Sequence, residues 1–165
     1  MSNFNYQGPS DTGGLAPGVW ANYQDQAKLD TPLTLASGVR TQLTIDGLGA
    51  ITNEVYAQDL WTGNAIRPTV VGGTYMVRVD LTAERLTAGS DELLVEIDIG
   101  DGSSIVVAAQ TISVTVGGAQ RYSFPFPLFA LETFVANGGK VFVTPTGGDF
   151  ELSGAAIFIA SVAGS

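Results

Sequence analysis

Apolar and polar positions alternate along this chain in short runs, with turn residues between the runs. Tyr75, Val77, Val79 and Leu81 share one face of a segment whose other face carries Met76, Arg78 and Asp80, the two-residue period of a half-buried strand. Leu93, Val95, Ile97 and Ile99 stand likewise opposite Leu94, Glu96 and Asp98, and the segment ends at Gly100-Asp101-Gly102. Ser104 to Val116 follows as a long apolar and Thr-rich run closed by Gly117-Gly118, so the pair predicts a β-hairpin. Pro32–Ala36 and Thr41–Ile45 are shorter alternating runs split by Ser37-Gly38, and Asp46-Gly47-Leu48-Gly49 predicts a turn. Tyr122, Phe124, Phe126 and Leu128 alternate with Ser123, Pro125 and Pro127; two prolines exclude a central, fully hydrogen-bonded position and predict an edge or bulged strand. Gly139–Thr144 and Phe150–Val162 predict a second hairpin around Pro145-Thr146-Gly147-Gly148. The helical hint at Leu81–Ala88 is short and reads as a loop, and Val135–Gly139 reads as a turn.

The final run differs from the others. From Phe150 it begins as an alternating strand, and by Ala155–Ala160 it is apolar on both faces. Such a strand must be covered on its second side, and in a chain this short the expected cover is another copy. Phe150, Leu152, Ile157, Phe158 and Ile159 are therefore the expected oligomer contact.

Many short strands in 165 residues, with 21 Gly and abundant Val, Ile, Thr and Phe, predict an all-β fold. The expectation is a single-domain antiparallel β-sandwich of the jelly-roll type over residues 19–165. Residues 1–18 are rich in Gly and Pro and too poor in apolar groups to make core. They predict an extended arm, with Phe4, Tyr6, Pro9, Leu15 and Pro17 as its docking residues.

Charge narrows the partners. A net charge of -9, with two Lys and five Arg scattered singly, weighs against nucleic acid and against an anionic membrane surface. There is no run of about eighteen apolar residues to span a bilayer as a helix, and no secretory signal is expected at the N-terminus.

Cys and His are absent, which removes disulfides, thiolate nucleophiles and the commonest general base. No catalytic residue, cofactor or metal is expected. Glu96 and Asp98 share one strand face, with Asp101 in the following turn and Asp91 and Glu92 before the strand, and paired carboxylates are the groups that glycoside hydrolysis needs. They read better as the solvated side of an amphipathic strand and its turn. Asp98 and Asp101 remain the one Ca²⁺ candidate, although the spacing matches no EF-hand loop. Trp20, Tyr23, Tyr56 and Trp61 are candidate sugar-stacking aromatics, with core or interface anchoring as the plainer account. Phe124, Phe126, Phe129 and Phe134 are expected to fill the core or a subunit contact.

The order of the segments carries a resemblance. Trp20–Asp25, Pro32-Leu33, Thr41–Gly49, Leu60-Trp61 and Gly72–Asp80 together resemble small tailed-phage virion proteins. The second half, with Gly73-Thr74-Tyr75, Gly138–Val143 and Phe150–Val162 in order, also resembles the trimeric jelly rolls of the tumour-necrosis-factor and complement-head kind. The resemblance implies a bacteriophage virion structural protein, assembled in the host cytoplasm, forming a homotrimer and binding the major capsid protein or another virion protein. A capsid decoration or cement protein is the leading expectation. The alternative is a receptor- or glycan-binding knob of a tail or head fibre, using Trp61 and Tyr56.

Overall fold

The structure is a computed structural model that describes residues 20–47, 51–52, 60–87, 91–101, 103–114 and 117–162. The expected docking residues Phe4, Tyr6, Pro9, Leu15 and Pro17, together with Tyr56 and the Leu48-Gly49 half of the expected turn, lie outside these residues.

Among the described residues, twelve strands and two short helices follow in the order β1 (Trp20–Gln24), α1 (Ala27–Asp30), β2 (Leu33–Leu35), β3 (Thr41–Gln42), β4 (Ile51–Thr52), β5 (Trp61–Thr62), β6 (Ala65–Ile66), β7 (Thr74–Arg85), β8 (Asp91–Asp98), β9 (Val106–Val114), β10 (Gln120–Phe129), α2 (Glu132–Asn137), β11 (Lys140–Thr146) and β12 (Phe150–Val162). The larger sheet runs β10-β7-β12-β1-β4, with β2 also paired to β12. The smaller runs β3-β11-β8-β9, and β5 and β6 form a separate ribbon. All strand pairs are antiparallel. The chain passes repeatedly from one sheet to the other, as a jelly roll requires, and the expected β-sandwich is what is found.

The alternation explains the core. Tyr75, Val77, Val79 and Leu81 of β7 and Phe124, Phe126 and Leu128 of β10 face inward and meet Leu93, Val95 and Ile97 of β8 and Val141 and Val143 of β11. β10 is an edge strand, as its two prolines demand, and the β8–β9 hairpin forms as expected.

Three expectations are corrected. First, β11 and β12 are not a hairpin: β11 pairs with β8 and β12 with β7, so the turn at Gly147-Gly148 carries the chain between sheets. Second, Leu81–Arg85 continues β7 as strand, whereas Val135–Asn137 belong to helix α2. That helix buries Phe134 beneath the sandwich end. It stops at Gly138 (φ 76°), where a β-carbon would lie 2.8 Å from the Ile66 carbonyl. Third, Phe150, Leu152, Ile157 and Ile159 are fully buried in the core. β12 is a central strand, so its inner face is covered by the chain's own small sheet and offers those four side chains to no partner. Phe158 alone of the expected contact set points outward.

Candidate functional site

The register of the large sheet sets its outer side chains in rows. One row is Phe129, Thr74 and Val162, and the next is Pro127, Met76, Ala160 and Trp20. Then come Pro125, Arg78, Phe158 and Asn22, followed by Ser123, Asp80, Ala156 and Gln24. The face thus grades from apolar at one end to charged at the other. At the apolar end Phe129, Val162 and Met76 are 59%, 49% and 38% exposed. In the middle Trp20 stacks on Phe158 with ring centroids 6.2 Å apart, and the Arg78 guanidinium lies 5.5 Å from the Phe158 ring. Asn22 Oδ1 is buried in this seam with no hydrogen-bond partner.

At the charged end Asp80 is 3% exposed and accepts from Arg78 Nε (3.0 Å), Arg121 Nη2 (3.0 Å) and Ser123 Oγ (2.5 Å). A buried carboxylate needs such donors, and here two arginines with solvent-reaching side chains supply them. The β12 strand slips register between Leu152 and Gly154, and the bulge floors a cavity of about 270 Å³. Gln24, Asp80, Thr82, Arg121 and Ala156 line it, with Leu29 of α1 at its side. Helix α1 is held by Asp25, whose carboxylate accepts from Lys28 N (2.8 Å) and Lys28 Nζ (2.6 Å), while Lys28 Nζ also donates to the Thr44 carbonyl at 2.6 Å.

The outer face of the small sheet carries the sequence-predicted carboxylates. Arg40 donates from Nε to Glu96 (3.0 Å) and from Nη2 to Asp98 (2.7 Å), and its Cζ sits 3.7 Å over the Phe142 ring. Asp98 Oδ1 accepts from the amides of Gly100 (2.7 Å) and Ile105 (3.1 Å). Burial pushes the Asp98 carboxyl up, but those amides and the Arg40 guanidinium outweigh it and hold the group below the usual range. Burial likewise opposes the Arg40 charge, and Asp98 and Glu96 raise it in spite of that. Lys140 Nζ donates to Asp101 at 2.8 Å, and this hydrogen bond holds the Asp101 carboxyl down.

Asp98 and Asp101 therefore line one depression of about 280 Å³, together with Arg40, Gln42, Lys140 and Phe142. The expected Ca²⁺ pair is met there by two cationic side chains, and Glu96 and Asp98 share one guanidinium instead of facing a substrate space. Among the described residues no group of three or more acidic side chains gathers to hold a metal ion. Trp61, a proposed sugar contact, is buried in the β5–β6 ribbon, and Tyr23 is buried beneath β1. Of the three sugar-stacking candidates within the described residues, only Trp20 reaches the outer face.

What sequence reasoning missed was the outer face itself. The expected contact set lies on β12 alone, whereas the outer-face rows span β10, β7, β12 and β1. The signal was present in Met76, which breaks the polar side of β7, and in Phe129, which breaks the alternation of β10.

No protein-family model matches this chain, and no curated protein sequence does. Solved structures share its fold. The Eiger TNF from S. frugiperda superposes with a TM-score of 0.56 at 11% identity, over 91% of this chain and 96% of the other. The PRD1 vertex protein P5 superposes with a TM-score of 0.53 at 14% identity, over 87% of this chain and 95% of the other. Both likenesses run nearly end to end, and at such identities they establish the jelly-roll fold.

Proposed function

We propose that this chain is a structural protein of a virion, a capsid decoration or cement protein that works as a homo-oligomer. The observation that carries the reading is the graded outer face of the large sheet. Its bare rows of Phe129, Val162, Met76 and Pro127 form an apolar patch of the kind monomers rarely expose, and the Asp80 cluster bounds it with fixed charge. Copies packed on this face cover the apolar rows, and the buried acceptor of Asn22 lies in the same seam. A trimer is the assembly implied by the resemblance to tumour-necrosis-factor jelly rolls. The likeness in fold to a vertex protein supports a place on a capsid.

In this reading residues 1–18 are the arm that grips the capsid, and the bound protein stabilises the assembled shell because it binds that state and not the free subunits. The experiment is electron microscopy of purified particles labelled with an antibody to the chain. Label over the head surface is expected. Label confined to fibre tips would assign the chain to a receptor-binding knob instead, and unlabelled particles would remove the virion reading. Deleting residues 1–18 is expected to abolish attachment to heads while circular dichroism still reports a folded sandwich. Attachment that survives the deletion would remove the arm.

A further inference from the structure

Strand β9 is the outer strand of the small sheet and, among the described residues, its backbone pairs with β8 alone; the Gln110 side chain also reaches β10. Unpaired edges template the addition of another strand, and folded proteins usually blunt them with proline, charge or brevity. The other edges here are blunted. β3 and β4 have two residues each. β10 carries Pro125 and Pro127, and its Pro125 carbonyl already accepts from Gln110 Nε2 at 2.6 Å. β9 has nine residues and no proline, and between Asp101 and Arg121 the sequence carries no charge at all. Its start is apolar and bare, with Ile105, Val106 and Val107 exposed. A bulge at Val107, between the pairs Ile97–Ala108 and Asp98–Val106, leaves Ala108–Val114 as the regular window.

We propose that this edge pairs with the β9 of a second copy, antiparallel about a twofold axis, joining two small sheets into one continuous sheet. An antiparallel strand pair is self-complementary, as a twofold contact must be. Charge selects the same partner. Copies that each carry -9 repel, and the uncharged β9 is where they can approach. Across the joint the nearest acidic rows, Glu92 and Glu96 of β8, stand three strand spacings apart, about 14 Å, beyond the Debye length of about 8 Å at physiological salt. The outward side chains Ala109, Thr111 and Ser113 are small, uncharged and exposed, so they meet across the joint without clash. This contact is separate from the large-sheet face and does not depend on it. Where both form, the twofold joint links one oligomer to the next.

The test uses the full chain carrying Met76→Glu and Val162→Glu, exposed substitutions that disable the large-sheet contact. Sedimentation equilibrium is expected to show a dimer. The natural chain has no cysteine, so Ala109→Cys, Thr111→Cys and Ser113→Cys can be added one at a time and oxidised. A disulfide-linked dimer is expected at the position nearest the axis and not at the other two. Adding Thr111→Lys is expected to halve the mass with Tm unchanged. A monomer in the Met76→Glu/Val162→Glu background, a dimer that no cysteine position crosslinks, or a dimer indifferent to Thr111→Lys overturns the proposal. A dimer lost on deleting residues 1–18 also overturns it, because the edge would then receive that segment.

Discussion

On the outer face of the small sheet Arg40 roofs the Phe142 ring and binds both Glu96 and Asp98. On the outer face of the large sheet Phe129, Val162 and Met76 have no such roof among the described residues. Both faces start from the same alternation, and both contain aromatic rings, carboxylates and arginines. The difference lies in where the arginines stand. Arg40 reaches in from the β2–β3 connection and closes its face over, whereas Arg78 and Arg121 rise from the sheet itself and gather around Asp80 at one end, leaving the other end open. The first face is finished by its own chain, and the second, open at one end, is the one that the proposed assembly covers.

The largest effect expected lies inside. Ile157 and Phe158 are neighbours on opposite faces of β12. Ile157→Ala removes a fully buried side chain and is expected to cost about 2–5 kcal/mol in urea unfolding. Phe158→Ala should leave unfolding of the dilute monomer much less affected and instead lower the oligomer mass seen by light scattering. Equal losses of stability from both would erase the distinction between inner and outer face.

Asp80→Ala ranks next. It leaves two guanidinium groups and the Ser123 hydroxyl without their acceptor, and a loss of about 1–3 kcal/mol in thermal or urea unfolding is expected. Little or no loss would mean that solvent replaces Asp80 fully and that the charged end of the large sheet is not a fixed boundary.

The small-sheet network answers to pH. Asp98 is held below its unfolded-chain value, so it contributes stability at neutral pH, and that contribution disappears as pH falls from the unfolded pKa of about 3.9 through the lower folded value. Arg40→Ala removes one of the groups holding it down and is expected to move the acid-unfolding midpoint to higher pH, as followed by tryptophan fluorescence. An unmoved midpoint would show that the Gly100 and Ile105 amides suffice alone. The smallest effect belongs to Lys140→Ala. Its partner Asp101 is well exposed, and no resolvable change in Tm is expected by calorimetry.

Much of the fold was legible because strand period and proline placement are local signals. Tyr75–Leu81 and Leu93–Ile99 announced their inward faces, and Pro125 and Pro127 ruled out a central place, leaving an edge or a bulge, of which the structure has the edge. The strands that misled did so for non-local reasons. Phe150–Val162 looks the same in sequence whether its second face meets a partner or its own sheet, and only the pairing with β7 and β1 decides. The helix at Glu132–Asn137 is too short to show a period and is held by Phe134 burial and the Asn137 bond to the Ile99 carbonyl (2.8 Å). The Arg40 network was invisible for the same reason, since Arg40 and Asp98 are joined only by the packing of distant segments.

The place of β12 sets the timetable of folding. It follows every other described strand yet lies between β7 and β1 in the large sheet. Trp20 pairs with Ala160, so the first described strand waits for the last. The small sheet, by contrast, gains its β8–β9 hairpin from neighbouring residues. During synthesis the hairpin can form early, while β1 and β7 stay apart until β12 leaves the ribosome and closes the sandwich between them. Contacts of such long sequence separation fold slowly, and through that interval the edges of β7 and β1 that β12 will pair stand open, the condition in which partly folded chains associate.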